Sequence, residues 1–196
     1  NVKIFKNGNI QLTGIKNIKD TEKIVNNIIE NIKNIYHNIS NDILSKDYDI
    51  NMLKYQNFKI RMINTDFKVY SDKELTTGFS LKRKELHKIL ISEKYNNKCS
   101  FQPGIYQGAK LEYFWNKHSK NKNGVCECPE KCYGKGDGNS ISSCKKVTGA
   151  LFESGSVLIT GGITYEQVDE TYNYICNFLK EHKDSIKKPQ PRFLAT

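Results

Sequence analysis

The sequence predicts an α+β protein whose strands and long helices recur as a unit, and three observations carry that prediction. Residues 4–14, IFKNGNIQLTG, and residues 151–161, LFESGSVLITG, are one strand–turn–strand motif written twice. Phe5/Phe152, Gly8/Gly155, Thr13/Thr160 and Gly14/Gly161 coincide, while Ile4/Leu151, Ile10/Val157 and Leu12/Ile159 keep aliphatic residues in step. Each copy is followed by a long segment with apolar residues at helical spacing. Self-similarity of this kind marks a recurring supersecondary unit.

The first hairpin is expected over residues 2–7 and 9–13, around Asn7-Gly8-Asn9, because Asn-Gly suits a tight turn between strands. Alternation places Val2, Ile4, Ile10 and Leu12 on one face and Lys3, Phe5, Gln11 and Thr13 on the other. A helix follows, with Ile24, Val25, Ile28, Ile29, Ile32, Ile35, Tyr36 and Ile39 at helical spacing and Asp20 or Thr21 as its cap. Residues 41–56 are polar and read as a connection.

A strand at 58–69 (FKIRMINTDFKV) and a short helix at 80–91 come next, the helix with Leu81, Leu86, Ile89 and Leu90 as its apolar side. Another strand ends in AKLEYFW (109–115), and residues 116–146 interrupt the pattern with Lys, Gly and Cys. The hairpin then returns at 147–161, before a helix over 164–182 whose expected apolar side is Tyr165, Val168, Tyr172, Ile175, Cys176 and Leu179. Thr164 and Gln167 have capping-box spacing.

The unit is therefore strand, helix, three strands, long helix. Residues 1–40 hold only the last two strands and long helix of a first copy, and 57–186 a complete second copy, with 187–196 as a tail. An incomplete first copy leaves a raw sheet edge, so further chain upstream, or another chain, is expected to cover it.

Lys and Arg number 31 against 21 Asp and Glu, a formal charge of +10, which favours an anionic partner such as nucleic acid. No apolar run approaches a membrane span, so no membrane partner is expected. Neither a Ser/His/Asp nor a Cys/His pairing suggests catalysis; His37, His87, His118 and His182 are scattered.

Residues 151–182, with FQPGIYQGAKLEY at 101–113 and FKIRMINTDFKV at 58–69, resemble the second repeat of the TATA-box-binding protein family. The ordered set covers about two-thirds of the chain, and its Asn, Lys and Ile bias is similar to the divergent versions carried by large DNA viruses. The resemblance implies two pseudo-symmetric repeats forming a saddle: a curved antiparallel sheet, helices on its convex side, and a concave face that reads the minor groove and kinks the duplex. It also implies a transcription initiation factor with A/T-rich promoter DNA, a transcription-factor-B-like factor and RNA polymerase as partners. The implied location is intracellular: the host nucleus, a cytoplasmic viral factory, or the virion.

Carried over residue by residue, the resemblance makes Phe5 and Phe152 intercalating wedges and Tyr106 the partner of Phe152, where the family has Phe. Thr13 and Thr160 match base-edge threonines, and a hydroxyl suits the acceptors of A/T pairs. Leu158 and Gln11 fall on apolar groove-contact positions, and Gln11 departs from the pattern. Asn64 is the candidate for the central asparagine, although a gapless match puts Met62 there. Lys16 matches a phosphate-contacting lysine, while Ile163, Asn9, Ser156 and Glu112 replace family cations; Lys3 on the presumed DNA face offers compensation.

Cys126, Cys128, Cys132 and Cys144 crowd the insertion as C-x-C-x3-C-x11-C, with His118 near. Four thiols suit one structural zinc ion, and a polar loop needs some staple to fold; free thiols or disulfides are the alternatives. The GKGDG run lacks the G-K-[ST] and preceding strand of a phosphate loop. Two further readings stand beside a DNA-binding factor: an interaction scaffold that kept the fold and lost DNA, and a nucleic-acid-processing enzyme on the same sheet.

Overall fold

The computed structural model describes residues 1–45 and 48–189 and divides the chain into two compact units, Asn1–Lys59 and Ile60–Thr196. In the first unit, strands β1 (Val2–Ile4) and β2 (Ile10–Leu12) form an antiparallel hairpin, followed by helix α1 (Lys19–Asn38). Short 3-10 turns at Asn41–Ile43 and Ile50–Met52 follow, each opened by a side chain, Ser40 or Asp49, accepting from a backbone amide. Helix α1 starts before the expected cap at Asp20 or Thr21, and Asn17 Oδ1 instead accepts from the Lys19 amide at 3.0 Å. A short Asx turn ahead of the helix thus takes over that role.

The apolar face expected to form a core in this unit is poorly covered. Val2 and Ile4 are 45% and 59% exposed, and Ile35 on α1 and Ile39 just past its end are also exposed. Two three-residue strands and one helix supply too little surface to bury them.

The second unit holds β3 (Ile63–Lys68), α2 (Arg83–Leu90), β4 (Lys98–Ser100), β5 (Ala109–Trp115), β6 (Lys145–Leu151), β7 (Ser156–Gly162), α3 (Tyr165–Glu181) and α4 (Lys183–Ile186). Its five strands are antiparallel in the order β3-β7-β6-β5-β4. Three strands were expected after the short helix and four form, because Lys98–Ser100 adds an edge strand to β5. That strand is too short to show an alternation. The opening strand is likewise confined to Ile63–Lys68, within the wider 58–69 expectation.

Odd-numbered positions of the central strands point to the helices. Leu111, Tyr113, Trp115, Val147, Leu151, Val157 and Ile159 are buried there against Leu86 and Leu90 of α2 and Val168, Ile175, Phe178 and Leu179 of α3. Each fully buried aliphatic side chain contributes about 1.5–3 kcal/mol. Gly149 lies directly beneath the Ile175 side chain, so helix and sheet meet closely there.

The capping box forms as its spacing implied: Thr164 Oγ1 accepts from the Gln167 amide at 3.3 Å. Tyr165 and Tyr172, expected on the apolar side of this helix, are 62% and 41% exposed; Thr171 and Phe178 are buried instead. Among the described residues no helix is long and apolar enough to cross a membrane.

The even-numbered positions of the same strands as far as Thr160 carry no helix among the described residues, whereas Gly162, at the end of β7, turns toward Val168 of α3. Ile159→Ala, on the helix side of β7, is expected to lower stability by about 2–5 kcal/mol. Leu158→Ala, one residue away on the open side, should cost clearly less in the same urea titration; equal losses would contradict this facing.

Candidate nucleic-acid interface

The open face is built from cross-strand rows. Thr148 of β6 pairs with Thr160 of β7 on one flank and Glu112 of β5 on the other, and Glu112 pairs with Lys98 of β4. The next row runs Ser100, Lys110, Ala150, Leu158 and Asp66. Leu158 and Thr160 thus lie together near the middle of the face. Asn64 shares it, in the strand beside β7, whereas Met62 lies ahead of β3.

Charges on this face are mixed, with Lys68, Lys98, Lys110 and Lys146 against Asp66 and Glu112. Glu112 does not stand as a bare carboxylate, because Lys146 Nζ donates to its Oε1 at 3.0 Å. Lys146 escaped the sequence reading because no family position pointed to it; its role comes from its register beside Phe114 and Glu112.

One end of the face carries two aromatic rings. The turn after β6 is closed by the Phe152 amide donating to Ser156 O at 2.9 Å and the Gly155 amide donating to Phe152 O at 3.0 Å. Gly155 has φ +80°, and a Cβ there would strike the Phe79 carbonyl. The N-terminal hairpin repeats the arrangement: Phe5 bonds to Asn9 and Gly8 to Phe5, both at 2.9 Å, with Gly8 at φ +79°. Phe5 and Phe152 therefore hold the same place in the same turn.

Tyr106 stands 5.7 Å from Phe152, ring centre to ring centre, and Lys110 Nζ lies 4.0 Å from the Tyr106 ring centre. Gly108 makes room for the pair, since a Cβ there would press on both rings. Ile105, beside Tyr106, is 83% exposed and was missed in the sequence, where a lone Ile in a loop carries no pattern.

Arg83, at the start of α2, ties the two aromatic loops together. Its guanidinium donates to the Gln107 carbonyl, next to Tyr106, and to the Glu153 carboxylate, next to Phe152. Lys188 also donates to Glu153, and these two cations, Lys188 first, hold that carboxyl below the usual glutamate range.

In the first unit Lys3 lies directly across from Gln11, on the face opposite Val2, Ile4, Ile10 and Leu12. Phe5 is 48% exposed, Lys16 is exposed, and the Thr13 amide and carbonyl pair with Asn1.

The cysteines converge. The Sγ atoms of Cys126, Cys128, Cys132 and Cys144 all lie within 4.8 Å of one another, with Cys144 at 3.3 Å from Cys128 and 3.7 Å from Cys126. A disulfide needs about 2.05 Å. The edge of a zinc–thiolate tetrahedron, from a Zn–S bond of about 2.3 Å, is about 3.8 Å, so the donor set and its spacing fit that ion. Backbone amides already point at two sulfurs: Cys128 to Cys126 at 3.5 Å and Gly134 to Cys132 at 3.4 Å. Burial pushes the Cys144 and Cys126 thiols up. At Cys132 burial is outweighed by the Gly134 amide and the neighbouring thiols, and the thiol is lowered. His118 is not part of the cluster; its Nε2 lies 3.0 Å from the Asn139 carbonyl.

The chain is 29% identical over 200 residues to a protein of Acanthamoeba polyphaga mimivirus described as "TATA-box-binding protein-like". The match covers 95% of this chain and 44% of that protein, so the chain spans less than half of the relative's length. No family model and no solved structure matches. The resemblance legible in the repeated hairpin is thus shared by a curated viral protein bearing that description.

Arg83→Ala is expected to speed amide exchange in residues 102–107 and 152–155, by about 1 kcal/mol of local protection, while the centres of β5 to β7 keep theirs. Because the Glu153 pKa is depressed in the fold, the tie is present at neutral pH and is lost as pH falls through its lowered value. Uniform exchange changes across the unit would contradict a local role.

Proposed function

We propose that this protein is a TATA-box-binding-protein-like transcription initiation factor that binds A/T-rich promoter DNA in the minor groove through the open sheet face. The observation that carries this reading is the pairing of Tyr106 with Phe152 at the end of a face that also presents Leu158, Thr160 and Asn64. Two adjacent rings at the rim of a sheet suit insertion between base steps, and hydroxyl and amide groups inside the rim suit the acceptors of A/T pairs. Thr13, Gln11, Lys3, Lys16 and Phe5 are the corresponding contacts of a first repeat in residues 1–40. Residues 57–186 form the second repeat. The protein binds rather than catalyses, and its partners are a transcription-factor-B-like factor and RNA polymerase.

One structural zinc ion belongs to this reading, held by Cys126, Cys128, Cys132 and Cys144, where it closes the insertion. Metal analysis is expected to return about one zinc per chain. Cys144→Ser should abolish retention of the ion, and a full zinc complement in that variant would remove Cys144 from the ligand set.

Asp66 and Glu112 on the open face favour one second reading, an interaction scaffold that has lost most DNA binding. Energy transfer across a doubly end-labelled duplex, run over a salt series, separates the two. Shortening on an A/T-rich duplex and none on a G/C-rich one is expected, with Phe152→Ala or Tyr106→Ala weakening binding about 5- to 150-fold, as for lost base stacking. No binding at low salt by folded protein would leave the scaffold reading.

A further inference from the structure

Phe114 is out of place. Alternation along β5 puts it on the open face, yet it is only 4% exposed. Lys98 Nζ lies 5.1 Å from its ring centre, and the cysteine loop covers it as well: a Cβ on Gly134 would lie 3.1 Å from the Phe114 ring and against the Lys146 side chain. The Lys146 amide donates to Gly134 O at 2.8 Å, the Gly136 amide donates to Cys144 O at 3.0 Å, and Lys135 bridges to Lys145. Pairing of β7 with β6 ends at Thr148 and Thr160, so residues 134–136 occupy the place beside β6 that β7 leaves open. The insertion therefore reaches the open face and continues it.

The segment that does so starts from the sulfur cluster. Cys132 is one of the four converging cysteines, and the Gly134 amide donates to its sulfur. Around it Tyr133 is 61% exposed, Lys131 Nζ lies 5.3 Å from the Tyr133 ring centre, and Lys135 is exposed. Residues 116–146 carry seven lysines against three acidic residues, a charge that matches a polyanion.

We propose that the loop closed by the four cysteines is a second contact to the same duplex, in which Lys131 and Lys135 engage phosphates and Tyr133 packs against the sugar–phosphate wall beside the sheet. This rests on the DNA-binding reading above and extends it to a segment outside the family motifs that the sequence carries. Lysines that meet phosphates position the protein without reading sequence and make affinity fall steeply with salt. Zinc bound by the four cysteines would act here at a distance, by holding Cys132 and with it the backbone that presents the three side chains.

The test is duplex binding by the full chain and by the variant K131A/Y133A/K135A, over a salt series, with metal content and end-to-end energy transfer measured on both. The variant is expected to keep its metal and its bend, to bind about tenfold more weakly, and to show a salt slope shallower by about two. Chelation of wild-type protein should shift the slope in the same direction while the helical circular dichroism persists. Wild-type binding with an unchanged affinity and slope in the triple variant would overturn the loop contact alone. Absence of duplex binding by folded wild-type protein would overturn it together with the reading it rests on.

Discussion

Everything in the second unit depends on the period of two along β5, β6 and β7. As far as Thr160, odd-numbered residues in these strands meet α2 and α3, and even-numbered ones do not. A slip of one residue in any pairing would send Leu111, Val147 or Ile159 to the open side and bring Glu112, Thr148 or Thr160 into the core. Burial of the odd set therefore fixes the register, and the register alone decides which residues line the candidate interface. The polar row Lys98, Glu112, Thr148 and Thr160 exists because the apolar row behind it must be covered.

The two aromatic rings at the rim rely on a different device. They sit on loops, where burial is slight, so polar ties do the positioning. Arg83 links the neighbours of both rings, Gly155 supplies a turn that a side chain would obstruct, and Gly108 leaves the rings room to meet. The arrangement resembles binding sites in which loops carry the contact residues and a rigid sheet carries the loops.

The cysteine insertion follows a third logic. It has little apolar content of its own, yet it grips the ends of β5 and β6 from both sides: Gly124 and Gly138 lie against Tyr113 and Trp115 on the helix side, and Gly134 against Phe114 on the open side. Gln167, inside α3, donates to the Asp137 carbonyl at 2.9 Å and so anchors the loop to the core helix as well. Four sulfurs converge within it, where apolar content is too low for burial alone to hold a loop.

The amino-acid sequence by itself determined the local features: both hairpins through their Gly turns, the long helices through apolar spacing, the Thr164–Gln167 cap, and the four cysteines as a cluster. Each of these depends on residues close together along the chain, or on a motif that recurs intact. Only the tertiary structure decided the rest. It added the edge strand at Lys98, pressed Tyr106 against Phe152, joined their loops through Arg83, set Lys146 against Glu112, and laid Gly134 over Phe114. These contacts join residues far apart in sequence and leave no periodicity behind; they arise only when burial of one sheet face has fixed the register that brings them together.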